Sequence, residues 1–303
     1  MSKEKLLPLL LINAELSNKQ EKALKKLFKD IAALNNNERD AEDWFILGAT
    51  ELRNEHYDEA LDAFTFAIES NSEFEAAYKF RASAYMMLED FDRAMEDVNK
   101  ALELDDAYAD AYIERAAIYR ARQEWEAALA DLDKAIAADE EDPEPFVLKG
   151  KTLYDAGRYA ESIATFNEVL EEDTQNVDVL ASRGLAYFFE GQPEHALADI
   201  KKARRLEGGS TVSEFNMGLV MSALPEHAKQ AYRHFEKAFK KDRKILVKYV
   251  EMSKSHESDR LLSRLDEIMK EMQTRKDENY YTGELYDLLS RRLNEAKEAA
   301  QKA

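Results

Sequence analysis

A period of 34 residues constrains this chain more than any other feature. Trp44, Tyr78, Tyr112, Phe146 and Leu180 each lie 34 positions after the last, and the small residues Gly48, Ala82, Ala116, Gly150 and Gly184 follow four positions later. In the second half of each unit come Ala60, Ala94, Ala128, Ser162 and Ala196, then Phe64, Val98, Leu132, Phe166 and Ile200, then Ala67, Ala101, Ala135, Val169 and Ala203. Spacings of three and four put such residues on one face of a helix. Two such stretches per unit, with turn residues between them at Asn54-Glu55, Glu89-Asp90, Ala156-Gly157 and Glu190-Gly191, make a helical hairpin. Small side chains stand where the two helices come closest, and large ones fill the gaps between successive hairpins. Units that contact only their neighbours grow by addition, so 303 residues do not demand a deep common core. Nine Gly and five Pro are few for that length and favour helix throughout.

This pattern resembles the tetratricopeptide repeat family, although Ser72, Asp106, Glu140 and Thr174 stand where that family usually closes a unit with Pro. The resemblance implies an all-α, right-handed superhelical solenoid of helix-turn-helix repeats with helical caps. Six repeats are expected at 41–74, 75–108, 109–142, 143–176, 177–210 and 211–245, after an amino-terminal segment and capping helix over 1–40. In the sixth, Ala231, Phe235 and Ala238 arrive one residue late after Met217-Gly218, which predicts a turn longer by one. Residues 246–303 read as a degenerate seventh repeat, keeping Tyr249, followed by capping helices.

Solenoid ends expose apolar faces unless covered. Lys19 to Leu34 reads as an amphipathic helix with Ala23, Leu24, Leu27, Phe28 and Ile31 on one stripe, ended by Asn35-Asn36-Asn37. Ser258 is expected to cap a helix carrying Leu261, Leu262, Leu265, Ile268, Met269 and Met272, and Thr282 one carrying Leu285, Leu288, Leu289 and Leu293. Lys276 to Tyr281 reads as a linker, and the tail from Glu295 as a fraying end. Near the start, Lys3 and Lys5 precede an apolar run, Leu6 to Ile12, interrupted by Pro8. That run imitates a secretory signal but is at its short limit, so a cytoplasmic location is expected.

Arg81, Arg115 and Arg183 occupy the seventh position of their units, and Asp97, Asp131 and Asp199 stand sixteen residues later. Units without Arg there also lack the Asp. Arg81–Asp97, Arg115–Asp131 and Arg183–Asp199 are therefore predicted to pair between the two helices of one unit, fixing their register.

The resemblance further implies that the first helix of each unit lines a concave surface. Among the positions implied to face inward, Leu185, Phe188, Phe189, Phe215 and Leu219 make the carboxy-terminal half apolar, with Lys151 and Tyr154 beside them. A partner peptide or helix is expected there. Two alternatives are that the last helices fold back and fill this surface, or that Leu6–Ile12 occupies the groove of its own or a neighbouring copy. Glu42, Asp110, Glu144 and Asp178 recur at the second position, where they read as first-turn acids complementing helix dipoles, with an acidic rail for a basic peptide as the alternative. The basic clamp by which some members of the family grip chaperone tails is absent, with Phe45, Ala49, Phe80, Asp110 and Glu114 at those places.

A net charge of −19 argues against nucleic acid and acidic membrane surfaces as partners. No run approaches the roughly 20 apolar residues of a membrane span. Without cysteine there is no thiolate site. His56, His195, His227, His234 and His256 make no metal motif; His227 and His234, two turns apart, could share a helix face but read as solvated helix residues, and no phosphate-binding glycine loop occurs. No cofactor is expected. The function expected is a non-enzymatic interaction scaffold binding a protein or peptide. The alternative is a self-assembling structural protein whose terminal segment occupies a groove, forming a homo-oligomer.

Overall fold

The computed structural model describes residues 3–11, 16–242, 244–247, 256–274 and 280–300. It is all-α, with no strand among the described residues. The chain divides into two compact units, Met1–Pro145 and Phe146–Ala303.

The first unit opens with α1 (Lys3–Leu11) and α2 (Asn18–Ala32) and a 3-10 turn at Asn36–Glu38. Three antiparallel helix pairs follow: α3 (Ala41–Arg53) with α4 (Tyr57–Ser70), α5 (Glu75–Met87) with α6 (Phe91–Leu104), and α7 (Ala109–Ala121) with α8 (Trp125–Ala138). Ser17 caps α2 in a reciprocal box with Gln20, which satisfies two otherwise orphaned amides. Asp40 and Asp43 do the same for α3. In the core, Phe45 packs its ring within 5.1 Å of both Phe74 and Phe80.

α9 (Glu144–Asp155) starts at the boundary, and the second unit continues with α10 (Tyr159–Glu172), α11 (Val177–Phe189), α12 (Pro193–Glu207), α13 (Thr211–Ser222) and α14 (Ala228–Lys241). A 3-10 turn, Pro225–His227, lies between α13 and α14 and takes up the extra residue there. Last come α15 (His256–Thr274) and α16 (Tyr280–Ala300). Ser258 and Thr282 thus lie within helices rather than ahead of them. The tail does not fray at Glu295, because the helix runs to Ala300 and Ala296 is fully buried. Tyr249, Ile12 and all of the linker expected at Lys276–Tyr281 except its last two residues lie outside the described residues.

The turns inside the pairs share one device. Glu55, Glu89, Gln123, Gly157 and Gly191 all have φ between 59° and 81°. Each is the fifteenth residue of its repeat, where the chain must reverse within three residues. Only two of the five are glycine, so the other three hold a left-handed conformation that costs an L-residue roughly 1–2 kcal/mol. Close approach of the paired helices explains the helical glycines: a Cβ on Gly48 would stand 2.7 Å from the Phe64 ring, and one on Gly218 2.8 Å from Phe235. No described helix is long and apolar enough to cross a membrane.

Candidate interaction surface

The Arg positions are structural ties. Arg81 donates from Nε and Nη2 to the two oxygens of Asp97 at 2.7 Å each. Arg115 reaches Asp131 at 2.6 and 2.9 Å, and Arg183 reaches Asp199 at 2.7 and 2.8 Å. The remaining amino group points backward in all three: Arg81 to Thr65, Arg115 to Asn99 and Arg183 to Asn167, at 3.1, 2.8 and 2.7 Å. Each guanidinium therefore joins its own hairpin to the second helix of the preceding one. That second tie was missed, although Thr65, Asn99 and Asn167 recur sixteen residues before each Arg. Bonding to Asp131 leads in raising Arg115 above its ordinary pKa, against the opposing effect of burial.

Across α12, α13 and α14 a different cluster does this work. Glu214, 5% exposed, accepts from Arg204 and meets His234 Nδ1, both at 2.5 Å. Burial would raise its pKa, but the bonds from Arg204 and His234 outweigh burial and hold the carboxyl below the ordinary range. His234 is thus not a solvated residue: with Met217 in the Arg position, a buried acid on α13 takes over the ring. Among the described residues no group of three His, Asp or Glu is placed to hold a metal ion.

The apolar surface expected in the carboxy-terminal half is not open. Phe188 and Phe215 are fully buried and Leu219 is 2% exposed, in one core with Leu261, Leu265 and Ile268 of α15 and Leu285, Leu289 and Leu293 of α16. Arg264 of α15 covers the Phe188 ring at 5.5 Å. Leu185 is partly buried against the same core. Phe189 is half-covered, stacked on Tyr159 at 5.4 Å with Tyr154 at its edge, 5.9 Å away. Lys151 is engaged by Asp178 at 2.5 Å. The physical reason is that α15 and α16 carry leucine stripes that must leave water, and this face receives them.

The face of the first unit that receives α1 is different. Lys3, at the start of α1, bonds Asp40 at 2.6 Å and Asp43 at 2.8 Å, with Glu42 at 3.3 Å. Burial would lower its pKa, but those bonds prevail and raise it. One and two turns on, Leu6 and Leu10 are 0% and 2% exposed, in the core formed by Phe45, Ala49 and Phe80. The run beginning at Leu6 is therefore seated on its own chain. Yet α1 is a poor helix: it has nine residues, and Pro8 in its interior donates no amide hydrogen bond.

Beside Leu10 a cleft of about 480 Å³ stays open, lined by Ala49, Leu52, Arg53, Phe80, Ser83, Met86, Met87 and Glu114 among others. Met87 is 57% exposed although large and apolar. At the cleft's far side Glu114 is partly accessible but closely ringed by protein. Burial pushes its carboxyl up, Lys79 and Ser83 oppose this, and Asp110 and Glu144 add to it.

A family model for the tetratricopeptide repeat matches residues 47–109 and 147–210. Among solved structures, PilW, a type IV pilus biogenesis factor, is 21% identical with a TM-score of 0.61, covering 73% of this chain and 98% of that one. YrrB, described as a tetratricopeptide protein with an unusual peptide-binding site, is 24% identical at TM-score 0.50, covering 62% and 96%. The Cut9–Hcn1 structure of the APC/C is 17% identical at TM-score 0.62, covering 80% of this chain and 46% of that one. The two matched stretches are tetratricopeptide repeats. No curated protein matches its sequence. At these identities the solved structures show the fold alone. What a partner could touch must be read from its own surface, where the cleft beside α1 offers exposed apolar side chains and the face under α15 does not.

Proposed function

We propose that this protein is a non-enzymatic interaction scaffold that holds a peptide or helix in the cleft beside α1 in its first unit. The observation that carries the reading is an unfilled apolar cleft, with Met86 and the exposed Met87 on one wall and Leu52 on the other. Flexible methionines adapt to varied apolar partners, and an amphipathic helix laid in a groove is a common way to use such a surface. The two stretches of tetratricopeptide repeats support the scaffold role. The test places a photo-crosslinking residue at Met87, and a control one at Glu96, which is exposed on α6. In the source cells, an adduct of defined mass is expected at Met87 and not at Glu96. Equal labelling at both, or none at Met87, refutes the cleft as the site.

A further inference from the structure

We propose that the face of the first unit that receives α1 takes a partner helix bearing a cation in its first turn and apolar residues three and seven positions later, and that α1 is the occupant this partner displaces. The proposal rests on the interaction reading above and specifies its ligand. Its ground is the way α1 is seated. Lys3 is held by Asp40, Glu42 and Asp43 at the amino end of α3, and Leu6 and Leu10 enter the apolar core behind it. Those three residues sit at i, i+3 and i+7, one stripe of a helix. The seat therefore already displays what it recognises: three carboxylates for a cation, then two apolar sockets.

Two further observations favour an exchangeable occupant. Leu10, Ala49 and Phe80 line the open cleft as well as contacting the core under α1, so seat and cleft are continuous. A partner whose stripe runs further can fill both. Pro8 weakens α1 as a helix, whereas a partner without an interior proline meets no such penalty. The carboxylates also decide between partners. Two copies of a chain carrying −19 repel one another, whereas a cation in a partner's first turn is attracted by Asp40, Glu42 and Asp43. The seat is thus assigned to a basic-led partner and not to a second copy.

The experiment uses the full chain and a labelled synthetic peptide, KEKLLALLL, which copies residues 3–11 with Pro8→Ala. Fluorescence anisotropy compares the wild-type chain with Leu6→Asp/Leu10→Asp, in which α1 is unseated, and with the milder Leu6→Ala/Leu10→Ala, each checked by circular dichroism for an unchanged helical signal. The unseated chains are expected to bind at least tenfold more tightly than wild type. Asp43→Asn, or a peptide with its first lysine changed to glutamate, should weaken binding at least fivefold, and Ala49→Arg in the unseated chain should abolish it. Equal affinity of wild-type and unseated chains overturns the proposal, as does indifference to the peptide's first charge. A doubled mass of the unseated chain by light scattering, without peptide binding, assigns the seat to a second copy and also overturns it. If Met87 still crosslinks a partner that the peptide does not compete away, the scaffold reading stands and this one alone falls.

Discussion

Asp131→Ala tests the ties that hold the array together. Asp131 is 3% exposed and accepts two guanidinium bonds from Arg115, at 2.6 and 2.9 Å, while Lys134 approaches it at 3.5 Å. Removing one partner of a buried pair costs roughly 3–5 kcal/mol, because the other charge stays behind unpaired. Here the Arg115 side chain keeps 17% of its surface and its bond to Asn99. Water can replace part of what is lost, so the expected cost is nearer 2–4 kcal/mol. Arg115→Met should cost a similar amount by stranding Asp131. The double variant should cost less than the two together, leaving an interaction energy of about 2 kcal/mol. Urea denaturation gives the global value. Repeats can open separately, so hydrogen exchange of the α7 and α8 amides must show where the loss is felt, and protection should fall first there. A cost below about 1 kcal/mol, or strict additivity, would mean the pair is effectively solvated and that apolar packing alone sets the register of the hairpin.

Three other outcomes follow from the same geometry. Gly218→Ala puts a methyl group 2.8 Å from the Phe235 ring; despite alanine's better helix propensity it should destabilise by about 1–3 kcal/mol, and a neutral or raised melting temperature would show that the helices separate without cost. Glu89→Gly, at φ 59°, should stabilise by up to about 1 kcal/mol, whereas a loss would mean the Glu89 side chain contributes more than its backbone strain. Glu114 has a folded pKa above the ordinary 4.5, raised chiefly by burial. Its contribution to stability is therefore complete below about 4.5 and lost as pH rises through the folded value. Glu114→Gln should gain on wild type progressively across that window in pH-dependent melts, and a constant difference would remove Glu114 as the cause.

The hairpins were legible because their information is local and repeated. Tyr78 and Tyr112, or Phe64 and Phe166, mean little singly but much at a fixed interval. The Arg–Asp partners were legible for the same reason, since Arg81, Arg115 and Arg183 each recur with an Asp sixteen residues on. What was not legible was anything made across repeats by residues that occur once. Glu214 with Arg204 and His234 replaces the usual tie with different residue types, so a comparison of units finds only a gap. Lys3 meets Asp40, Glu42 and Asp43 across nearly forty residues, and no periodicity records that. Ser258 and Thr282 are good N-cap residues by type, yet both fall within helices, because a cap signal is local and does not fix where a helix begins.

The candidate site moved from one end of the chain to the other, and the cause is general. An apolar stripe facing inward, such as Leu185, Phe188 and Leu219, reads the same in sequence whether a visitor or the chain's own helix covers it. What separates the cases is how firmly the cover is held. α15 and α16 have 19 and 21 residues and bury Leu261, Leu265, Ile268, Leu285, Leu289 and Leu293 in one core. At about 1.5–3 kcal/mol for each large apolar side chain buried, lifting them off would cost a large part of a domain's stability. α1 buries Leu6 and Leu10, has nine residues and is interrupted by Pro8. Two leucines at the same rate supply only about 3–6 kcal/mol. A partner offering a cation and a better helix can compete with α1 but not with α15 and α16. Exchange of occupants is therefore expected at the amino-terminal seat, next to the cleft that is already open.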